Sequence, residues 1–188
     1  MNITYTQAKT ADELHQILAL QAANLPKNIS VEEAKNQGFV TVQHDFELLE
    51  TMNQPFPHII AKDGDKVVGY ALVMLRRFAD KIPVLFSMFD MINKATFKGK
   101  SVNDSTYFTM GQVCIDKDYR GQGLFENLYK TMQKHYANDF QYLITEISAR
   151  NTRSIKAHSK VGFEDLKIFT DETSGEVWHL VIWDWRKG

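Results

Sequence analysis

The chain moves between two apolar periods. Strict alternation opens it, and Ile3 to Gln7 reads as a first strand. The period then lengthens. Thr10-Ala11-Asp12-Glu13 is a capping box, with Thr at the N-cap and Glu at N3. Leu14, Ile17, Leu18 and Gln21 follow on one face of the helix it opens. That helix ends near Asn24-Leu25-Pro26, because proline forbids continuation. Ser30-Val31-Glu32-Glu33 is a second capping box and predicts a short helix stopped by Gly38. His44 to Met52, with Phe46, Leu49 and Met52 apolar, predicts another.

Further along, His58 to Lys62 and Lys66 to Leu75 read as strands joined at Asp63-Gly64, a strong hairpin turn signal. Gly69 marks a bulge in the second. Val84 to Ile92 is dense in apolar residues and predicts a buried turn or two of helix; Lys98 to Asp104 reads as a loop. Thr106 to Ile115 is a fourth strand. Beyond it Leu124, Leu128, Met132 and Tyr136 recur every four residues, with Phe125 and Tyr129 beside them, which is a core-facing helical stripe. Gln141 to Ser148 is a fifth strand, with Leu143, Thr145 and Ile147 on one face and Ile144 and Glu146 on the other. Asn151 starts a short helix that Gly162 stops. Phe163 to Phe169 and Glu176 to Trp185 form a closing hairpin.

One junction carries chemistry. Strand Gln112 to Ile115 passes through a charged loop into Arg120-Gly121-Gln122-Gly123 and then into the long helix. A glycine turn at a helix start presents free backbone N–H groups at the positive end of the dipole, an arrangement suited to phosphate. Glycine lets the backbone approach closely, and Arg120 adds positive charge. No Gly-Lys-Ser/Thr follows, so this is not a P-loop, and the third glycine of the dinucleotide fingerprint is missing.

The run resembles the acetyl-CoA signature of the GCN5-related N-acetyltransferase (GNAT) family, Gln/Arg-x-x-Gly-x-Gly/Ala after a strand. Arg120 and Gly123 match; Phe125 stands where the family has Gly or Ala. A second segment, Asn151 to Phe163, is similar to the family's Asn-x-x-Ala-x-x-x-Tyr-x-Lys-x-Gly-Phe, with Ser154 at the Ala position and His158 at the Tyr position. The resemblance implies an α/β fold with a central, mostly antiparallel sheet flanked by helices, in which the fourth and fifth strands run parallel and then splay. It implies acetyl-CoA as cofactor. The pyrophosphate would sit on the backbone amides of Gly121, Gln122, Gly123, Leu124 and Phe125, with the Arg120 charge at the same cofactor site. The pantetheine arm would lie along Val113, Cys114 and Ile115; Asn151 would contact the cofactor, and Ser154 would either contact it or be a solvated helix residue. It implies early helices that wall the acceptor side. Residues 76–103 look like an insertion, read equally as acceptor-pocket wall or as packing or a dimer contact.

Composition bounds the partners. With 188 residues, 44% of them hydrophobic, the chain predicts one domain spanning 1–188. A net charge of −1 gives no bulk pull toward nucleic acid or an anionic membrane. No signal-peptide pattern and no membrane-length apolar run are present. The single cysteine, Cys114, excludes an internal disulfide and a cysteine-rich metal site and points to a reducing, cytoplasmic setting.

The implied reaction is attack of a neutral amine on the thioester of acetyl-CoA. It needs a base, an oxyanion donor and an acid near the departing thiolate. Glu146 is the nearest carboxylate for the base; its alternative is a solvated strand residue. His158 replaces the family's tyrosine acid and could donate as imidazolium or through a neutral ring N–H, or be an ordinary helix residue with water as acid. Asn151 is equally an N-cap. Cys114 reads as a buried, inert thiol rather than a nucleophile. Two functions stand: an active N-acetyltransferase acting on a small-molecule or peptide amine, or a catalytically weak acyl-CoA-binding module that senses the cofactor.

Overall fold

The computed structural model describes residues 2–33, 38–82 and 85–186. Nine strands and five α-helices alternate in the order β1 (Ile3–Gln7), α1 (Ala11–Ala23), α2 (Phe46–Met52), β2 (Ile59–Asp63), β3 (Lys66–Met74), α3 (Phe86–Lys94), β4 (Thr96–Phe97), β5 (Lys100–Ser101), β6 (Tyr107–Ile115), α4 (Leu124–Tyr136), β7 (Tyr142–Ser148), α5 (Thr152–Val161), β8 (Glu164–Thr170) and β9 (Val177–Asp184) among the described residues. Seven strands pair in the order β1-β2-β3-β6-β7-β9-β8, a mixed, mostly antiparallel sheet, as expected. The chain divides into two compact units. The first comprises residues up to Val73 with Met110–Tyr136, the second Met74–Thr109 with the chain from Ala137 onward.

In the first unit, β1 and β2 pair antiparallel, as do β2 and β3. The β2–β3 register shifts where Ala61 faces Gly69 and Lys62 faces Val67, so the expected bulge lies beside Gly69. Alternation along β3 assigns the two faces. Tyr70 and Leu72 pack in one buried cluster with Leu14 and Ile17 of α1. A Cβ on Gly69 would point the other way, 3.4 Å from Leu128 of α4. Helices therefore cover both faces.

The Thr10–Glu13 capping box is complete: Thr10 Oγ1 accepts from Glu13 N–H, and the Glu13 carboxylate accepts from Thr10 N–H. Glu33 N–H donates to Ser30 Oγ at 3.0 Å, so half of the second box forms, while the Glu33 carboxylate pairs with Arg120 instead. The expected end of its helix near Gly38 falls on 34–37, outside the described residues. The helix expected from His44 starts instead at Phe46, because the Asp45 carboxylate accepts from Leu48 N–H and fixes the N-terminus there.

In the second unit, Tyr107–Thr109 of β6 run parallel to Tyr142–Ile144 of β7, and β9 pairs antiparallel with both β7 and β8. Its core is aromatic: Phe108 meets Phe140 and Trp185, and Phe163 meets Trp183. The helix expected over 84–92 is α3, beginning at Phe86; Pro83 and Val84 lie outside the described residues. The loop expected from Lys98 is a miniature hairpin instead. Lys98 and Gly99 both hold positive φ, the geometry of a two-residue turn between β4 and β5. Gly162 ends α5 at φ 121, where a Cβ would sit 2.9 Å from Trp183 Nε1. Glycine is required there by both backbone and neighbour.

Candidate active site

The glycine turn is built as its sequence implies. Asp116 caps a short 3-10 turn at Lys117–Tyr119, accepting from Asp118 N–H. Gly121 and Gly123 then take φ of 77 and 80. Both are exposed, and among the described residues a Cβ on Gly121 would meet nothing within 4 Å, while one on Gly123 would first meet Asn127 at 3.8 Å. Asn127 N–H is bonded back to Gly123 carbonyl at 3.1 Å, so the N–H groups ahead of it lie at the open first turn of the 13-residue α4. A run of N–H groups at a helix start, with no side chain of the described residues close to either glycine, fits a phosphate. Phe125 does not fill it, since its ring packs on Tyr129 with centroids 5.0 Å apart.

Arg120, which adds positive charge at this turn, has its guanidinium tied to the protein. Its Nε donates to Ile115 carbonyl at 3.2 Å, one terminal nitrogen lies 3.2 Å from Glu33 Oε1, and the other donates to Asn24 Oδ1 at 2.6 Å. The guanidinium is thus a three-way tie, its charge paired with Glu33.

Strand β6 approaches this turn with alternating faces. Val113 and Ile115 are half-buried, while Gln112 and Cys114 are buried. Burial pushes the Cys114 thiol up to about 12, which makes it a poor nucleophile at neutral pH. Around Gln112 lies a polar relay that sequence reasoning did not assemble. His44 backbone N–H donates to Gln21 Oε1 at 2.8 Å, which fixes that amide's orientation. Gln21 Nε2 then donates to Gln112 Oε1 at 2.9 Å and to His44 Nδ1 at 2.8 Å. Tyr70 hydroxyl donates to the same Gln112 oxygen, and Gln112 Nε2 donates to Val42 carbonyl at 2.7 Å. Burial pushes His44 down to about 4, so it is neutral. With Nδ1 accepting, its proton is on Nε2, which has no hydrogen-bond partner among the described residues. The available signal was Gln21, a polar residue on the apolar stripe of α1.

The second unit holds Glu146, Asn151, Ser154 and His158. Asn151 Oδ1 accepts from Ser154 N–H at 3.1 Å, so Asn151 is the N-cap of α5. His158 is buried; its Nδ1 lies 2.8 Å from Ser154 carbonyl and 3.2 Å from Ser154 Oγ. A carbonyl only accepts, so Nδ1 carries the proton. Burial pushes His158 down to about 4. Of the two donor forms open to it, the structure therefore leaves the neutral one, with its N–H directed at Ser154.

Glu146 has the opposite perturbation. Burial, aided by the negative Asp171, pushes its carboxyl up to about 8. Its Oε2 is buried with no hydrogen-bond partner among the described residues. The register separates the two candidates. Trp183 faces Leu143, and Phe163, which touches His158, packs on Trp183. Glu146 is three residues from Leu143 and so lies on the other face of β7.

The profile of the Acetyltransferase (GNAT) family matches residues 15–163. Among solved structures, the chain is similar to the ribosomal-protein-S18-alanine N-acetyltransferase from Escherichia coli, with 14% identity, TM-score 0.63, and coverage of 100% of this chain and 96% of that one. It is also similar to a chain of the NatC complex bound to Gag peptide and CoA, with 13% identity, TM-score 0.68, and coverage of 98% and 99%. A third is yncA from Salmonella typhimurium with its cofactor acetyl-CoA, at 13% identity, TM-score 0.61, and coverage of 100% and 96%. No curated protein matches the chain by sequence.

Glu146 makes a prediction about stability. Its folded value of about 8 lies above the ordinary 4.5, so the unfolded chain releases this proton first. Stability then falls as pH rises from about 4.5 to about 8 and levels off above. Glu146→Gln removes that loss. Denaturant titrations should show the variant matching wild type near pH 4 and exceeding it increasingly toward pH 8; a constant difference across that range would mean the carboxyl is not perturbed.

Proposed function

The chain belongs to the GNAT acetyltransferase family, and on that premise we propose that it is an acetyl-CoA-dependent N-acetyltransferase acting on a primary amine by direct attack in a ternary complex. The observation that carries this reading is the positive-φ Gly121–Gly123 turn at the start of α4, whose glycines have no close side-chain neighbour among the described residues. The backbone N–H groups from Gly121 through Phe125 would hold the pyrophosphate. The strand backbone at Val113 and Cys114 would meet the amides of the pantetheine arm, which lose about 1–3 kcal/mol each if buried unpaired. Ile115 can offer its N–H, its carbonyl already accepting from Arg120. Asn151 keeps its amide N–H groups for the cofactor, its oxygen being used in the cap. Acetyl-CoA supplies the activated acyl group when bound.

Glu146 is assigned the base. A carboxyl near 8 is better matched to an ammonium than an ordinary carboxylate is, and its unpartnered Oε2 can receive a proton. The acid role expected of His158 needs a proton on Nε2, whereas Nδ1 holds it against Ser154. A neutral imidazole is also a weak acid. We therefore assign the departing thiolate's proton to solvent and give His158 the task of fixing the first turns of α5. The acceptor is a small-molecule or peptide amine, and the whole chain works as one catalytic domain in a reducing, cytoplasmic setting.

Three measurements check these assignments. Calorimetry with CoA should show Gly123→Val losing at least about tenfold in affinity with its fold retained, because a branched side chain is incompatible with both the positive φ and phosphate approach. Unchanged affinity would remove the site. For Glu146→Gln, kcat should fall by roughly 10²-fold around and just above pH 8, where the carboxylate form accumulates. The deficit should shrink at higher pH, where free amine is abundant; a flat ratio to wild type would make Glu146 structural. His158→Phe should stay within about tenfold of wild-type kcat, whereas a loss near 10²-fold restored by His158→Tyr would return the acid role to this residue.

A further inference from the structure

Arg120 stands in the phosphate-binding signature, yet every nitrogen of its guanidinium serves the protein itself. Its Nε ties to Ile115 carbonyl, the last residue of β6. One terminal nitrogen meets Glu33 at 3.2 Å and the other meets Asn24 at 2.6 Å. These partners lie 87 and 96 residues away along the chain. The arrangement is closed on the far side too. Asn24 Nδ2 donates to Leu20 carbonyl at 2.8 Å, so its oxygen must face Arg120. Asn24 carbonyl accepts from Val40 N–H at 3.2 Å, and Asn24 N–H bonds back to Gln21 carbonyl at 3.0 Å. Glu33 N–H is held by Ser30 Oγ. The Arg120 side chain is only 14% exposed. A planar fork with fixed donor directions suits three partners at three angles; a lysine ammonium does not reproduce it.

We propose that Arg120 acts on the phosphate turn as a positioning residue rather than as a phosphate ligand, and that Asn24 and Glu33 are the further positioning residues through which it does so. The fork joins the end of α1 and the Ser30–Glu33 turn to the entry of Gly121–Gly123. Ordering of that turn by a bound pyrophosphate is then transmitted through Arg120 to residues 24–33, which lie outside the turn. The coupling is reciprocal: loosening 24–33 weakens donor binding. This rests on the assignment of the Gly121–Phe125 backbone as the pyrophosphate site.

The test is CoA binding followed by calorimetry at several salt concentrations, joined to hydrogen exchange on the wild-type protein. A charge that contacts phosphate contributes to the salt dependence of affinity, since salt screens it; a positioning residue does not. Arg120→Lys and Glu33→Gln should each weaken CoA binding, by about tenfold and several-fold, and Arg120→Met should do so without flattening the slope of affinity against salt. In wild type, adding CoA should slow exchange at residues 24–33 as well as at 121–128, and Arg120→Lys should lose the first protection while keeping the second. Glu33→Gln removes only a half-buried surface charge, so it reports even if the Arg120 variants fold poorly. The inference is overturned if Glu33→Gln binds CoA as well as wild type or more tightly, if Arg120→Met flattens the slope, or if protection stops at the glycine turn. Failure of wild type to bind CoA at all would overturn the pyrophosphate assignment as well, which separates the two outcomes.

Discussion

The first unit is governed by one requirement: polar groups buried along β6 must all find partners, and few arrangements satisfy them. An unpaired buried donor or acceptor costs about 1–3 kcal/mol, so amide orientations there are not free choices. His44 N–H and Val42 carbonyl terminate the Gln21–Gln112 relay with one donor and one acceptor, and this polarity fixes every amide between them. Tyr70 joins from β3 at the same oxygen. The relay links α1, the stretch before α2, β3 and β6. It also holds Gln112 in place one residue before the backbone proposed to meet the pantetheine arm.

The glycine turn depends on the strand that precedes it. Because β6 is immobilised, Arg120 can be anchored to the last carbonyl of that strand and to α1 together. The turn then needs no side chains of its own, and its backbone is left for an anion. In the second unit the same logic has a different result. His158 places its buried ring Nδ1 against Ser154 carbonyl, while Glu146 is left with an oxygen unpartnered among the described residues. A carboxyl kept in that state destabilises the fold as pH rises above its ordinary range, and groups so perturbed cluster at functional sites.

Local signals were legible in the sequence. The Thr10–Glu13 box, the four-residue stripe of α4, the Asn151 cap and the Gly162 stop are each read from neighbours within a turn or two, and each is present. α2 starts two residues after His44 because Asp45, one more polar residue in the pattern, is the better cap. The Lys98–Gly99 hairpin looks like a loop in sequence because strands of two residues carry no period. Long-range polar pairing was not legible at all. Gln21 is visibly out of place on an apolar stripe, but nothing local names Gln112, 91 residues on, as its partner. Arg120 likewise matches a signature without disclosing that Glu33 and Asn24 hold its charge. The environment of Glu146 arises from Asp171 and from burial, neither of which its own strand specifies.

Amine-dependent release of the CoA thiol tests the central claim most directly. Wild-type protein is mixed with acetyl-CoA, first alone and then with a panel of primary amines, and free thiol and acetylated amine are both quantified. Direct transfer predicts thiol release only when a productive amine is present, in one-to-one proportion with acetylated product. Binding of acetyl-CoA with no release on any amine would contradict the account and leave a module that binds the cofactor without using it.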